Sequence, residues 1–318
     1  MPDANFLNPF LNPIFIPVLI RTAILFIGGF LILLMVKKFS LKSLWESKLG
    51  EIYIGWIILA PIYLAGIFLG GIPSLIILCV LIILAIKEIY LRARFSQLYF
   101  FTLSFLSIYS IIIASYFPEF FYTLPLLYFV LTTGIAIKEN NSKRGFLDAA
   151  VTLFVLIWIV FSFCHAILLG HINNLLDNTK SLLLLIMFAT SLSDIGAYIF
   201  GTFFHKINFL DKYKIANTIS PNKTYVGIIG HIIGAGMGIW IMYFAVQVYL
   251  PWYHWIFISI LIGVFGIMGG LTNSLFKRFY EVKDSSNLIP GHGGILDRID
   301  SMIRVVVVLY YYFLLFLK

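Results

Sequence analysis

Apolar residues in this chain run in blocks long enough to cross a bilayer, and polar residues collect between the blocks. A transmembrane helix needs about 20 mostly apolar residues. That criterion marks ten stretches: Pro13–Val36, Ile52–Gly70, Ile72–Ile86, Leu98–Phe117, Phe120–Ile137, Leu147–Gly170, Ser181–Phe204, Val226–Leu250, Trp255–Thr272 and Ser301–Leu317. The short Ile72–Ile86 and the Phe120–Ile137 run are the least clearly marked. The pattern predicts an all-α polytopic transmembrane helical bundle of about 9–10 spans, because helices satisfy their own backbone groups in lipid.

The charges order these spans. Every Lys and Arg except Arg21, Lys180 and Lys318 falls in one of five regions. The first holds Lys37, Lys38, Lys42 and Lys48; the second Lys87, Arg92 and Arg94; the third Lys138, Lys143 and Arg144. The fourth holds Lys206, Lys212, Lys214 and Lys223, and the fifth Lys277, Arg278, Lys283, Arg298 and Arg304. Ten spans put all five on one side, with both termini opposite. Basic loops favour the cytoplasm, so that side is expected to be cytoplasmic. Arg21 lies near the outer end of the first span and is expected to snorkel to the interface.

Composition agrees with a bilayer as solvent. The 318 residues are 61% hydrophobic and 11% charged, with a mean hydropathy of +1.00. Soluble domains carry roughly a quarter charged residues. The net charge of +8 follows from loop topology, so no nucleic-acid partner is expected. Cys79 and Cys164 lie in apolar runs and read as small hydrophobes. Met1 to Pro13 lacks a positively charged start, so no cleavable signal peptide is expected.

The chain divides by character. Residues 1–170 read as N-terminal transmembrane helices with short basic loops. Residues 171–318 bring polar groups into and beside the spans, which places a cytoplasm-facing site in the C-terminal half. An ordinary transporter would line a path through several spans with polar groups; here they gather at one edge.

The densest stretch is Ser274 to Asp300, SLFKRFYEVKDSSNLIPGHGGILDRID, expected as a long cytoplasmic loop. Lys277, Arg278, Lys283 and Arg298 can neutralise phosphate oxygens. Gly291, Gly293 and Gly294 allow close backbone approach to anions. Asp284, Asp297 and Asp300 can hold magnesium, which prefers carboxylate and phosphate oxygen. Together these residues suit a metal-bound polyphosphate.

This stretch resembles the phosphatidate cytidylyltransferase pattern S-x-φ-K-R-x4-K-D followed by φ-P-x-H-G-G-φ-φ-D-R-φ-D. Ser274, Lys277, Arg278, Lys283, Asp284, His292, Gly293, Gly294, Asp297, Arg298 and Asp300 fill its fixed positions. Ser193 to Gly201, S-D-I-G-A-Y-I-F-G, resembles the family's D-x-G-A-Y-φ-φ-G helix and puts Asp194 near mid-span. Ile219 to Gly227, I-S-P-N-K-T-Y-V-G, resembles its I-S-P-K-K-T-W-E-G loop.

The resemblance implies an integral, multi-pass enzyme, in a bacterial inner membrane. It would join CTP and phosphatidate into CDP-diacylglycerol and pyrophosphate for phospholipid biosynthesis. It implies catalytic roles for Asp297, Lys277, Arg278 and Lys223. Substrate contacts are implied for Ser220, Lys283, His292, Gly293, Gly294 and Arg298. Metal binding is implied for Asp297, Asp194, Asp284 and Asp300, with Mg2+ and room for a second cation. A homodimer is compatible with it. Three positions depart from the pattern: Val226, Gly270 and Asn273 stand where the family typically has Glu, Asp and Glu. They keep open a catalytically impaired paralogue that binds nucleotide or lipid, and a nucleotidyltransferase for another membrane phosphate.

Overall fold

A computed structural model describes residues 8–94, 96–172, 179–204, 214–246, 248, 250–282, 286 and 293–317. The described chain is almost wholly helical. α1 is Phe15–Val36, α2 Leu41–Trp45, α3 Lys48–Phe68, α4 Gly71–Ala93, α5 Gln97–Tyr116 and α6 Leu124–Glu139. α7 (Ser142–Val155) runs through a π-helical turn, Leu156–Phe161, into α8 (Ser162–Leu168). α9 is Thr179–Phe204, α10 Tyr225–Met242, α11 Trp252–Phe279 and α12 Leu296–Phe316. One hairpin, β1 (Lys214–Ala216) with β2 (Ser220–Thr224), leads into α10.

Among the described residues, nine helical stretches are long and apolar enough to cross a membrane. The protein is thus an all-α polytopic membrane protein. The remaining expected span, Ile52–Gly70, is α3. Its described apolar part is Tyr53–Phe68.

Three helices run further toward the basic side than the apolar pattern predicts. α4 continues to Ala93, so Lys87, Glu88 and Arg92 are helical. α11 continues to Phe279 and carries Lys277 and Arg278 in its last turn. α12 begins at Leu296, so Asp297, Arg298 and Asp300 lie on a helix. The expected loop from Ser274 to Asp300 is therefore helical at both its ends, Ser274–Phe279 and Leu296–Asp300. Helices need not stop where hydropathy falls, because the polar ends here pack against each other and meet partners in protein.

Polar side chains within spans return hydrogen bonds to their own helix: Ser107 to the Leu103 carbonyl at 2.6 Å, Thr190 to Ile186 at 2.6 Å and Ser259 to Trp255 at 2.8 Å. These bonds satisfy hydroxyls where no water reaches. One continuous apolar core runs from Val18 to Phe313 and draws on both halves of the chain.

α9 and α10 are the closest helix pair. Gly230, Gly234 and Gly238 recur every fourth residue and form a stripe along α10. A Cβ on Gly234 would collide with the Leu192 carbonyl, and one on Gly238 would lie 2.5 Å from Ala189 Cα. Small residues permit such backbone approach in membranes, and this contact fixes Asp194 of α9 beside His231 of α10. Gly234→Ala should destabilise the protein by about 1–3 kcal/mol through overpacking, read as a lower thermal midpoint in detergent. Gly201→Ala has open space around it and should be neutral or stabilising by up to about 1 kcal/mol through helix propensity.

Candidate active site

The basic ends of α9, α10, α11 and α12 bring one polar cluster together. The hairpin delivers its first cation. Thr224 ends β2 and caps α10 by accepting the Gly227 N–H at 3.2 Å. This fixes Lys223, one residue earlier, at the helix entrance. Its ammonium donates to the Ile267 carbonyl of α11 at 3.3 Å. It sits 2.5 Å from where a Gly270 Cβ would be, and that point is 3.8 Å from Asp300 Oδ2. Gly270 has no side chain, and the lysine uses the space. Burial pushes Lys223 below the usual lysine range; Asp300 and Asp194 oppose this, and Lys277 adds to it.

Asp297 stands in the first turn of α12. Its Oδ1 accepts from Lys277 Nζ at 2.7 Å and from Asn273 Nδ2 at 2.8 Å. Its Oδ2 accepts the Gly294 N–H at 3.0 Å. Gly293 turns with φ of 78°, a left-handed conformation that glycine adopts without strain. Asn273 Nδ2 also donates to Asp300 Oδ2 at 2.8 Å. Asp300 Oδ1 accepts from the Ser301 N–H at 2.6 Å. Ser301 Oγ reaches Asp194 Oδ1 at 3.5 Å, and Ser193 Oγ contacts His231 Nδ1 at 2.9 Å. A continuous polar chain thus runs from Lys277 through Asp297, Asn273, Asp300 and Ser301 to Asp194.

The structure brings Asp194, Lys223, Lys277, Asp297 and Asp300 together. Arg298 lies within electrostatic reach of Asp194 and Asp300, and its Nε is buried without a hydrogen-bond partner among the described residues. Arg278 sits at the rim and ties α11 to the hairpin by donating to the Ile219 carbonyl at 3.2 Å. Ser220 lies on β2 opposite Ala216. Lys283, Asp284 and His292 lie outside the described residues.

Among the described residues, no group of three or more His, Cys, Asp or Glu is placed to hold a metal. Asp297 and Asp300 are already engaged by N–H donors. The Asp194 side chain is 53% exposed and keeps oxygen facing outward. The donor set fits a magnesium ion held mainly by substrate phosphates, with one or two protein carboxylates, Asp194 first among them.

Sequence reasoning overlooked Glu88. It belongs to α4, in the half read as plain scaffold, and is 5% exposed. Its Oε1 accepts from Ser286 Oγ at 2.7 Å and from the Ile295 N–H at 2.8 Å; its Oε2 accepts the Leu296 N–H at 3.0 Å. It thus fills the N-terminal anion position of α12. In the sequence Glu88 is one of several acids beside basic residues, with Glu46 and Glu139, and nothing sets it apart.

Residues 51–316 match the model of the Cytidylyltransferase family. The chain is 42% identical over 124 residues to a phosphatidate cytidylyltransferase of Bacillus subtilis, covering 39% of this chain and 44% of that one. It is 34% identical over 181 residues to one of Staphylococcus saprophyticus, covering 56% and 63%. With one of Synechocystis it shares 38% over 133 residues, covering 39% and 40%. The chain thus spans between 40% and 63% of the length of these curated relatives.

Glu88→Ala should lower stability by about 2–4 kcal/mol, because two buried N–H groups lose their acceptor. Glu88→Gln retains one carbonyl oxygen and should lose less than half as much. Thermal midpoints of the two variants in detergent check both.

Proposed function

This chain belongs to the cytidylyltransferase family, and from that premise we propose that it makes CDP-diacylglycerol and pyrophosphate from CTP and phosphatidate. The observation that supports this most is the single polar chain linking Lys277, Asp297, Asn273, Asp300 and Asp194, with Lys223 against it. A phosphate of the lipid attacks the α-phosphorus of CTP. A new P–O bond forms, the bond to the β-phosphate breaks, and pyrophosphate leaves. The nucleophile is already anionic, so positioned charge carries most of the catalysis.

In this reading Lys277, Lys223 and Arg298 offset phosphate charge. Asp297 holds Lys277 in place, and Asn273 bridges Asp297 to Asp300. Gly293 and Gly294 bring backbone close to phosphate oxygen, while Arg278 and Ser220 border the entrance. Magnesium, when bound with Asp194, would supply further positive charge on the phosphates.

A second reading rests on Gly270, Asn273 and Val226. Lys223 fills the Gly270 space, and Asn273 gives N–H donors where the family typically has an acid. A nucleotide- or lipid-binding protein without turnover fits those exchanges. Purified protein with CTP, phosphatidate and Mg2+ separates the two. Product that falls on the order of 10²-fold or more in Asp297→Ala, as when an electrostatic contact in the reacting site is lost, supports the enzyme. CTP binding with no product supports the second reading.

The pH profile gives an independent check. Lys223 acts on phosphate as its cation, and its pKa is lowered, so its charge is lost at lower pH than an ordinary lysine's. The alkaline limb of activity should therefore fall early and move up in Lys223→Arg, whose guanidinium does not titrate. An unmoved limb would remove Lys223 from this role.

We also propose that the basic ends face the cytoplasm of a bacterial inner membrane, with a homodimer as the assembly and no nucleic acid involved. In intact cells, an impermeant thiol reagent should leave cysteine at Lys138 unlabelled and should label cysteine at Phe120. The reverse pattern would invert the orientation, and light scattering in detergent reads the assembly.

A further inference from the structure

A cavity of about 380 Å3 lies between α3, α4, α8 and α9, away from the Asp297 cluster. Its volume is within the range of ligand sites, roughly 300–1,000 Å3. Its lining is graded. Leu81, Phe163 and Met302 make an apolar deep end. Tyr63 also lines it and lies within electrostatic reach of Arg298 and Asp300, so this end abuts the floor of the polar cluster. Lys180 and His171 stand at the other end, beside Gly70 and Gly71.

Polar groups inside a membrane protein are expensive and usually functional. Among the described residues, Arg21 and Lys180 are the two basic residues that the topology leaves at the far ends of spans. Arg21 is accounted for: its guanidinium lies 3.5 Å from the centre of the Phe244 ring and donates to the Pro17 carbonyl at 3.4 Å. The described contact of Lys180 is a long one, 3.5 Å to the Phe68 carbonyl. Ser74, also in the lining, has a buried hydroxyl without a hydrogen-bond partner among the described residues. A cation and an unsatisfied hydroxyl above an apolar shaft match an amphiphile with an anionic head.

We propose that this cavity binds an anionic phospholipid from the leaflet opposite the Asp297 cluster, its phosphate at Lys180 and an acyl chain reaching toward Met302. The site is separate from the lipid-substrate site, because Lys180 and Asp297 mark opposite ends of the bundle. The occupant fills the space beneath Tyr63 and so supports the floor on which Arg298 and Asp300 rest.

Native mass spectrometry of the full chain in detergent tests this, with phosphatidylglycerol and phosphatidylcholine of identical chains as probes. Phosphatidylglycerol should be retained about fivefold more, what one lysine near an anionic lipid surface is worth. Lys180→Gln should bring the ratio to near one, and Lys180→Arg should keep it. Ala166→Trp, which fills the shaft, should reduce retention of both lipids. Lys277→Ala should leave the ratio unchanged. A ratio that survives Lys180→Gln overturns the proposal, even if Ala166→Trp does not fold. A ratio that falls in Lys277→Ala but not in Lys180→Gln places the lipid at the Asp297 cluster and also overturns it.

Discussion

The first turn of α12 carries Asp297, Arg298 and Asp300, and a helix start has N–H groups with no partner in the helix. Buried at a membrane edge, those groups must be met from elsewhere. Glu88 meets two of them, at Ile295 and Leu296, and takes the Ser286 hydroxyl as well. Asp297 reaches back to the Gly294 N–H. Two carboxylates from distant parts of the chain therefore define where α12 begins. The direction of every charged residue in its first turn follows from that. Gly294 accommodates the arrangement because any Cβ there would strike the Glu88 carboxylate.

With α12 so fixed, the site settles around a balance of charge. Asp194, Asp297 and Asp300 face Lys223, Lys277 and Arg298 among the described residues. Asn273 stitches two of the acids together. An acid at position 273 would instead repel Asp297 and Asp300 unless a cation lay between them. An acid at 270 would need the room Lys223 now takes. The exchanges at 270 and 273 are thus mutually consistent: the protein supplies fixed cations and N–H donors where a carboxylate-rich site would depend on bound ones.

Much of this was legible in the sequence, and what was not has a physical reason. The spans follow from apolar run length, and the motif at 274–300 holds Lys277, Asp297 and Asp300, which the structure brings together. The helix ends at Ala93, Phe279 and Leu296 were not legible, because hydropathy reports solvent and not backbone hydrogen bonding. Glu88 was hidden because its partners lie some two hundred residues away in the chain. The partnership of Gly270 with Lys223 is a matter of volume, visible only once α10 and α11 are packed. The glycine stripe of α10 was readable as small residues at every fourth position, yet its consequence, the placement of Asp194 beside His231, required knowing that α9 is the partner.

Among the described residues Asp194, Asp297 and Asp300 are matched by Lys223, Lys277 and Arg298, so a polyphosphate bound there as proposed would add negative charge. Two reserves stand ready. Arg298 keeps a buried Nε without a hydrogen-bond partner among the described residues, an arrangement that is unfavourable until an acceptor arrives. Lys277 is shared with Asp297 and can turn toward phosphate while Asn273 and Gly294 continue to hold that carboxylate. In the proposed reaction Asp194, whose side chain is 53% exposed, would be the point of attachment for a cation carried by the substrate. Binding and charge compensation are in this way one event, in which new charge-assisted bonds to phosphate must outweigh the resting hydrogen bonds they displace.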